Sequence, residues 1–447
     1  MRLHYVKHVR RLLPVLLWAV CACASVVGQI TPAHLVNQLT VAQYRDTLDN
    51  RLYTRTGHNR GFGAEHDLAR QFLYSSYQSF DLDVRLHPFT YNSNEYYNVV
   101  AVLPGLVSPN EQVIMCGHYD SVNNPGADDN ASGTAAVLET ARVLSNYRFE
   151  KTIVFIAFDR EEQGLVGSTA YANQYRNDNI IGVVNLDMVA YNPSGNQANI
   201  YGRTASNPIK QGLASALTRY SGIQAVVNGA LDRSDHAPFE SIGKQACLLI
   251  ERSWSSNPNY HRQTDTVDTQ GYINYDYAVL LTKGAAGFVA EQAVLLPTFL
   301  PDGYTILQGY HAGGGAPELV NSDDQYLRVG AVRPFELNFP SASFETWTQA
   351  ATQTPSRILL QVETNVSAVP ALQVIQLYDY QAGQWTTVDS RFATLTDNKL
   401  TLDIQDSPAK FVEPGTRRVK AKIGATDWGI TVVAWSLNVD RVNWVVR

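Results

Sequence analysis

Cysteine is scarce in this chain. Of its four, Cys21 and Cys23 fall in the opening segment, and the remaining two, Cys116 and Cys247, sit in apolar strand-like runs. One pair of positions does not define a disulfide framework, and free thiols are commonly buried. Charge is sparse too. Charged residues are 17% and apolar ones 45%, the proportions of a globular chain rather than a disordered one. Basic clusters are missing. Residues 1–28 carry Arg2, Lys7, Arg10 and Arg11 and no acid, and without them the formal net charge moves from −6 to −10. An acidic chain with no basic patch is a poor partner for nucleic acid. Repeats and low-complexity tracts are also absent.

The opening segment couples its positive charges to the apolar run LLPVLLWAVCACASVV. That is a signal-peptide pattern, with cleavage near Val26-Val27-Gly28. The run falls short of the roughly 20 residues that span a bilayer. A secreted or periplasmic protein with no membrane span is therefore expected. Val20-Cys21-Ala22-Cys23 only faintly resembles a lipoprotein box.

At 447 residues the chain is long enough for two domains behind that leader. Residues 32–83 read as mostly helical, followed by strand-like runs at 83–91 and 97–103. From 111 onward strand and helix alternate. VIMCG, TIVFIAF (152–158), GVVNL (182–186) and QACLLI (245–250) are continuous apolar strands. Helices are expected through Val137, Ala141 and Leu144, after Gly167, and over 272–295. Another starts with Asn207 as cap and Pro208 at its first position, and stops at Gly222. Such alternation predicts an α/β fold with a mainly parallel, doubly covered sheet over residues 29–296. Beyond Leu296-Pro297 the texture changes to turns and short alternating runs (ILLQVET, LQVIQLYDY, KLTLDI, RVKAKI, GITVVAWSL). Residues 297–447 are expected to form a small all-β sandwich. Its tryptophans, Trp385, Trp428, Trp435 and Trp444, read as core. Its role reads as accessory, with surface attachment or carbohydrate binding as the sharper alternative.

The chemistry gathers where strands end. His118 follows VIMCG, and Asp128 lies in the loop beyond it. Glu161-Glu162 follows TIVFIAFDR, Asp187 follows GVVNL, and His261 comes after QACLLIERSW. Taken singly, an Asp-Asp pair is more often a solvated turn, and two glutamates opening a helix complement its dipole. Together they differ, because parallel strands deliver their C-terminal ends to one edge. Two imidazoles and three carboxylates form a nitrogen/oxygen donor set suited to Zn²⁺. The set exceeds the needs of one tetrahedral ion and suits two, roughly 3.5–4 Å apart, with one carboxylate between them. One glutamate is then left over as a general base.

HYDS, GADDNASG, EEQGLVGS, NLDM, SDHAPF and YHRQTDT, in that order, resemble the zinc aminopeptidases of peptidase family M28 over roughly residues 34–295. The resemblance implies a peptide substrate and two Zn²⁺. It implies His118 and Asp187 as terminal ligands on one side, Glu162 and His261 on the other, and Asp128 as the bridge. It makes Glu161 the general base, Asp120 the carboxylate that orients His118, and Tyr260 a group that polarises the substrate carbonyl. It also implies a cis peptide between Asp128 and Asp129. Asp235 and His236 are expected to be structural or to stand in the pocket wall. The sequon match at Asn130, beside the expected metals, is read as chance; Asn365-Val366-Ser367 also fits the pattern. Three alternatives stand beside this reading: a glutaminyl cyclase, similar in fold but with one zinc, a carboxypeptidase, and a metal-free binding protein on the same fold.

Overall fold

Every residue from Val113 to His118 is buried. A run hidden on both faces belongs inside a sheet covered on both sides. The computed structural model describes residues 30–52, 59–193, 195–333, 340–427 and 433–447. In it this run forms the end of β3 (Ser108–His118). The other strands of the sheet are β1 (Asp83–Tyr91), β2 (Asn94–Leu103), β4 (Lys151–Phe158), β5 (Asn179–Leu186), β6 (Gln197–Tyr201), β7 (Gln224–Val227) and β8 (Ala246–Glu251). Their order is β1-β2-β4-β3-β5-β8-β6-β7.

The centre, β4-β3-β5-β8, is parallel throughout. The margins are mixed. β2 runs antiparallel to both β1 and β4, and β6 antiparallel to β8. The β1–β2 reversal has a local cause: Asn92 and Ser93, the two turn residues, both have positive φ (48° and 65°). That geometry matches the twist of a tight antiparallel hairpin.

Alternation along β3 divides the core in two. Val113 and Met115 join one apolar cluster, under helices 64–79, 133–144, 207–221 and 275–292. Ile114 and Cys116 join another, with Tyr171, Ala172 and Phe239 from the opposite face. Burying a side chain of this size stabilises by about 1.5–3 kcal/mol, which offsets the cost of charged groups crowded at the strand ends. The helix that opens at Asn207 has its cap position at Ser206, one residue earlier than expected and without a side-chain cap, and ends on Gly222 at φ 72°. Cys116 and Cys247 are both free and buried.

A third apolar cluster runs from Phe299 to Val446 and takes in Trp435 and Trp444. It fills the space between two antiparallel sheets, one of five strands and one of six. Trp385 is only half-buried, and Trp428 lies outside the described residues. The first four residues of GITVVAWSL, 429–432, also lie outside them, and the last strand is Ser436–Val446. Leu296, Leu359 and Val445 pack with Leu106 and Val107 to join the two bodies. Arg148 adds a hydrogen bond from Nη2 to Thr401 Oγ1 (2.7 Å). Residues 1–28, expected to be a leader, lie outside the described residues. Among the described residues no helix is long and apolar enough to cross a membrane.

Candidate metal centre

The four parallel strands bring their C-terminal ends to one edge, and the acidic and imidazole groups collect there. His118 is the last residue of β3, Asp187 the first after β5, and Glu161 stands three residues past β4. His261 arrives from the loop after β8. Backbone strain clusters at the same edge: Arg160, Met188 and His261 have φ of 60°, 47° and 58°, a conformation non-glycine residues adopt mainly where the surroundings enforce it.

Two groups of donor atoms form. His118, Glu161 and Asp187 each place one atom within 4.8 Å of the others, and so do Asp129, Glu162 and His261. Asp129 links them. Its Oδ1 is 3.4 Å from His118 Nε2 and its Oδ2 is 3.1 Å from His261 Nε2. Glu162 Oε2 is 3.2 Å from His261 Nε2, and Asp187 Oδ1 is 3.6 Å from His118 Nε2. His118 Nε2 and Asp187 Oδ1 are buried without any hydrogen-bond partner. Leaving such atoms unpaired is costly. Four carboxylates facing two imidazoles also carry excess negative charge that burial does not tolerate alone. Both observations fit a site built for cations.

The linking residue is therefore Asp129, and the sequence-based expectation of Asp128 is corrected by one position. Asp128 is fully buried behind the loop, and its oxygens are already committed. Oδ1 accepts from the Ala190 amide (2.9 Å) and Ser132 Oγ (3.1 Å). Oδ2 accepts from Asn257 Nδ2 (3.1 Å) and the Tyr272 hydroxyl (3.4 Å). The physical reason is that neighbouring residues in this irregular loop project oppositely. Asp129 (φ −104°, ψ 92°) and Asn130 (φ −131°, ψ 46°) leave helical geometry inside the turn Ala127–Ser132. The cis peptide moves with it and lies between Asp129 and Asn130.

Several residues that sequence reasoning missed hold the donors in place. Asp265 accepts both the Asp128 and Asp129 amides (2.7 and 3.1 Å). Ser234 donates to Asp187 Oδ2 (2.6 Å) and accepts from Asn185 (2.6 Å). Both lie in motifs already singled out, SDHAPF and YHRQTDT, which was the only available signal. Asn130 is spent internally. Its Nδ2 donates to the Leu186 carbonyl (2.8 Å) and its Oδ1 accepts from the Gly133 amide (2.8 Å). A Cβ on Gly133 would lie 2.3 Å from both Asn130 Oδ1 and the Leu186 oxygen, so only glycine fits. Asp120 stands against both His118 and the glutamate pair. His118 Nδ1 pairs with the Asp120 carbonyl (3.1 Å), and the Asp120 carboxylate instead accepts the Glu161 and Glu162 amides (3.2 and 3.3 Å). It fixes the glutamate pair, with His118 Nδ1 3.5 Å from its Oδ1.

Burial raises the Glu161 carboxyl well above its ordinary range, with Asp235 and Asp187 adding to it and His118 opposing. Burial, then the Asp129 charge, brings Glu162 to about 7. Hydrogen bonds to Asp129 and Glu162 bring His261 up to about 10. A metal takes imidazole as a lone-pair donor, so a protonated His261 must give up its proton on loading. Zinc titrated into the metal-free protein at neutral pH should therefore release protons. Affinity should tighten by about tenfold per pH unit for each proton displaced. Calorimetry in buffers of differing ionisation enthalpy reads this directly, and buffer-independent heats would refute it.

The centre opens into a cavity of about 370 Å³. Asp129, Glu161, Glu162, Asp187 and His261 line one side, and Met188, Leu248, Ile250 and Trp254 the other. Tyr260 lies between, stacked on the His261 ring with centroids 3.9 Å apart. Burial and the nearby carboxylates raise its phenol above the usual range, which keeps the hydroxyl protonated. Asp235 and His236 are buried behind the cavity, the latter held neutral by burial, at about 4.

Residues 98–282 match the family model described as Peptidase family M28. A probable leucine aminopeptidase of Trichophyton verrucosum is 30% identical over 213 residues, 43% of this chain and 56% of the relative. The chain spans little more than half the length of the curated relatives it matches. In fold it is similar to BSAP, a zinc aminopeptidase from Bacillus subtilis, with TM-score 0.51 at 16% identity over 57% of this chain and 95% of that one. It is also similar to the glutaminyl cyclase of Macrostomum lignano, with TM-score 0.51 at 22% identity over 61% and 97%. At these identities the two structures speak to fold alone.

Proposed function

We propose, on the match of residues 98–282 to the model of peptidase family M28, that this chain is an exported aminopeptidase working with a pair of zinc ions. The position of Asp129 carries the reading, since one oxygen faces each histidine, at 3.4 and 3.1 Å. His118 and Asp187 would hold one ion, Glu162 and His261 the other, and Asp129 both. Zinc, when bound, supplies Lewis acidity that polarises a scissile carbonyl and brings the pKa of water to about 7.

The chain's own groups do the rest. Glu161, the carboxylate left over, takes the proton of the attacking water and passes it to the departing amine. The Tyr260 hydroxyl, kept protonated, donates to the oxygen on which charge develops. The carboxylates lining the cavity attract a free α-ammonium, which favours cleavage at the amino end. The apolar wall of Met188, Leu248, Ile250 and Trp254 suits an apolar side chain, in keeping with the leucine aminopeptidase named among the relatives.

Two observations favour other outcomes. Arg233 also lines the cavity and could pair with a substrate carboxylate, as a carboxypeptidase requires. The cyclase likeness in fold raises single-zinc cyclisation. A panel of aminoacyl chromogenic substrates, N-blocked peptides and a Gln-initiated peptide separates these, run with and without chelator beside metal analysis. Release of free-amine leucine, abolished by chelator and restored by zinc, is expected. Cleavage of N-blocked peptides at the carboxyl end, or cyclisation with one zinc per chain, would overturn it. Export rests on residues 1–28 and predicts a mature N-terminus near Gln29 in the secreted fraction.

A further inference from the structure

We infer that the C-terminal sandwich carries a second, separate cation site, for a hard divalent ion of calcium type, formed by Asp324, Asp397 and Asp440. The three come from distant parts of the sequence. Asp324 precedes the strand Leu327–Gly330, Asp397 precedes the strand Asn398–Ile404, and Asp440 lies on Ser436–Val446. One carboxylate oxygen of each lies within 4.8 Å of the others. Calcium–oxygen distances of 2.3–2.6 Å put ligands on opposite sides of such an ion about 5 Å apart. The spacing is therefore what one ion requires.

Asp440 supplies the independent observation. It is completely buried, and its Oδ2 accepts the Asp323 and Asp324 amides (3.0 and 3.3 Å). Its Oδ1 has no hydrogen-bond partner and is the oxygen it has left to offer. A bulge puts it there. Glu363 pairs with Arg441 and Thr364 with Val439, so Asp440 is the extra residue between them, and bulges commonly re-aim a side chain. Asp397 is held by two neutral donors: Asn365 Nδ2 to Oδ1 (2.6 Å) and the Tyr326 hydroxyl to Oδ2 (2.7 Å). Glu363, also buried, has an unpartnered Oε2, and its charge acts on Asp440.

The charge does not balance within the protein. Asp323, Asp324, Asp397, Asp440 and Glu363 face two cations, Lys399 and Arg441. Lys399 Nζ stands 3.7 Å from Glu363 Oε1, and Arg441 Nη1 is turned to the Asn146 carbonyl (3.2 Å). Donors that are all oxygen select calcium over zinc. Asp324 is exposed, which gives an ion its way in. Binding would tie the loop before Leu327 to two strands of the sandwich.

The test uses the full, zinc-loaded chain with calcium chloride, read by calorimetry. Terbium emission excited through tyrosine provides a second reading, because the Tyr326 hydroxyl touches Asp397. One calcium per chain, with half-saturation on the order of 10⁻⁴ M, is expected, together with a higher unfolding temperature and a weaker response to magnesium. Asp324→Asn, an exposed change that leaves the fold alone, should weaken binding about tenfold or more. Asp440→Asn should abolish it. Failure of calcium to bind at millimolar concentration would overturn the proposal. So would equal binding by both variants, or an equal response to magnesium.

Discussion

Replacing Glu161 by Gln is expected to slow hydrolysis of a free-amine leucyl substrate by roughly 10²–10⁴ while zinc content stays unchanged. The change keeps shape and hydrogen-bonding capacity and removes only the ability to take a proton. The expected effect depends on Glu161 being surplus to coordination. Asp129, Asp187, Glu162 and the two histidines already provide the donors, and burial gives Glu161 a raised affinity for protons, as a general base needs. Geometry makes the experiment necessary, because Glu161 also lies within 4.8 Å of the His118 and Asp187 donors. Glu162→Gln is the matched control. It removes an oxygen 3.2 Å from His261 Nε2 and should lose metal along with activity. An unchanged rate in Glu161→Gln would remove Glu161 from the base role. A loss of zinc in that variant would make it a ligand.

The sheet's centre was legible because buried parallel strands leave continuous apolar runs, and VIMCG, TIVFIAF, GVVNL and QACLLI lie where such runs should. Its margin was not. β6 and β7 are short, and β7, at the edge, is half-buried or exposed throughout, so neither leaves a hydrophobic signature. At the site, residues that end strands could be found by asking what a carboxylate or imidazole does after an apolar run. Residues that hold those donors from behind could not. Ser234 and Asp265 each act through two hydrogen bonds with no periodicity, and a hydroxyl or carboxylate in a loop reads the same whether it orients a ligand or faces water. The Asp128-Asp129 pair is the sharpest case. Two identical side chains differ only in which way an irregular turn sends them, and that turn is fixed by contacts far along the chain, at Asp265, Asn257 and Leu186.

That pair yields the second large effect. Asp129→Asn should empty the centre and reduce peptide hydrolysis to the background of the metal-free protein. An amide offers one weak oxygen where two anionic ones now face His118 and His261. Asp128→Asn should behave otherwise. It disturbs a buried group in which Glu251, itself raised well above its ordinary range by burial and then by the Asp128 charge, shares Asn257 with Asp128. The cost is that of leaving one buried acceptor or donor unpaired, about 1–3 kcal/mol of stability. Activity should fall by no more than the roughly 10–100-fold typical of residues that support a metal ligand from behind. Metal analysis and thermal unfolding on the two variants separate the roles. If Asp128→Asn lost its zinc and Asp129→Asn kept it, the linking role would return to Asp128, and the turn Ala127–Ser132 would have to be drawn differently.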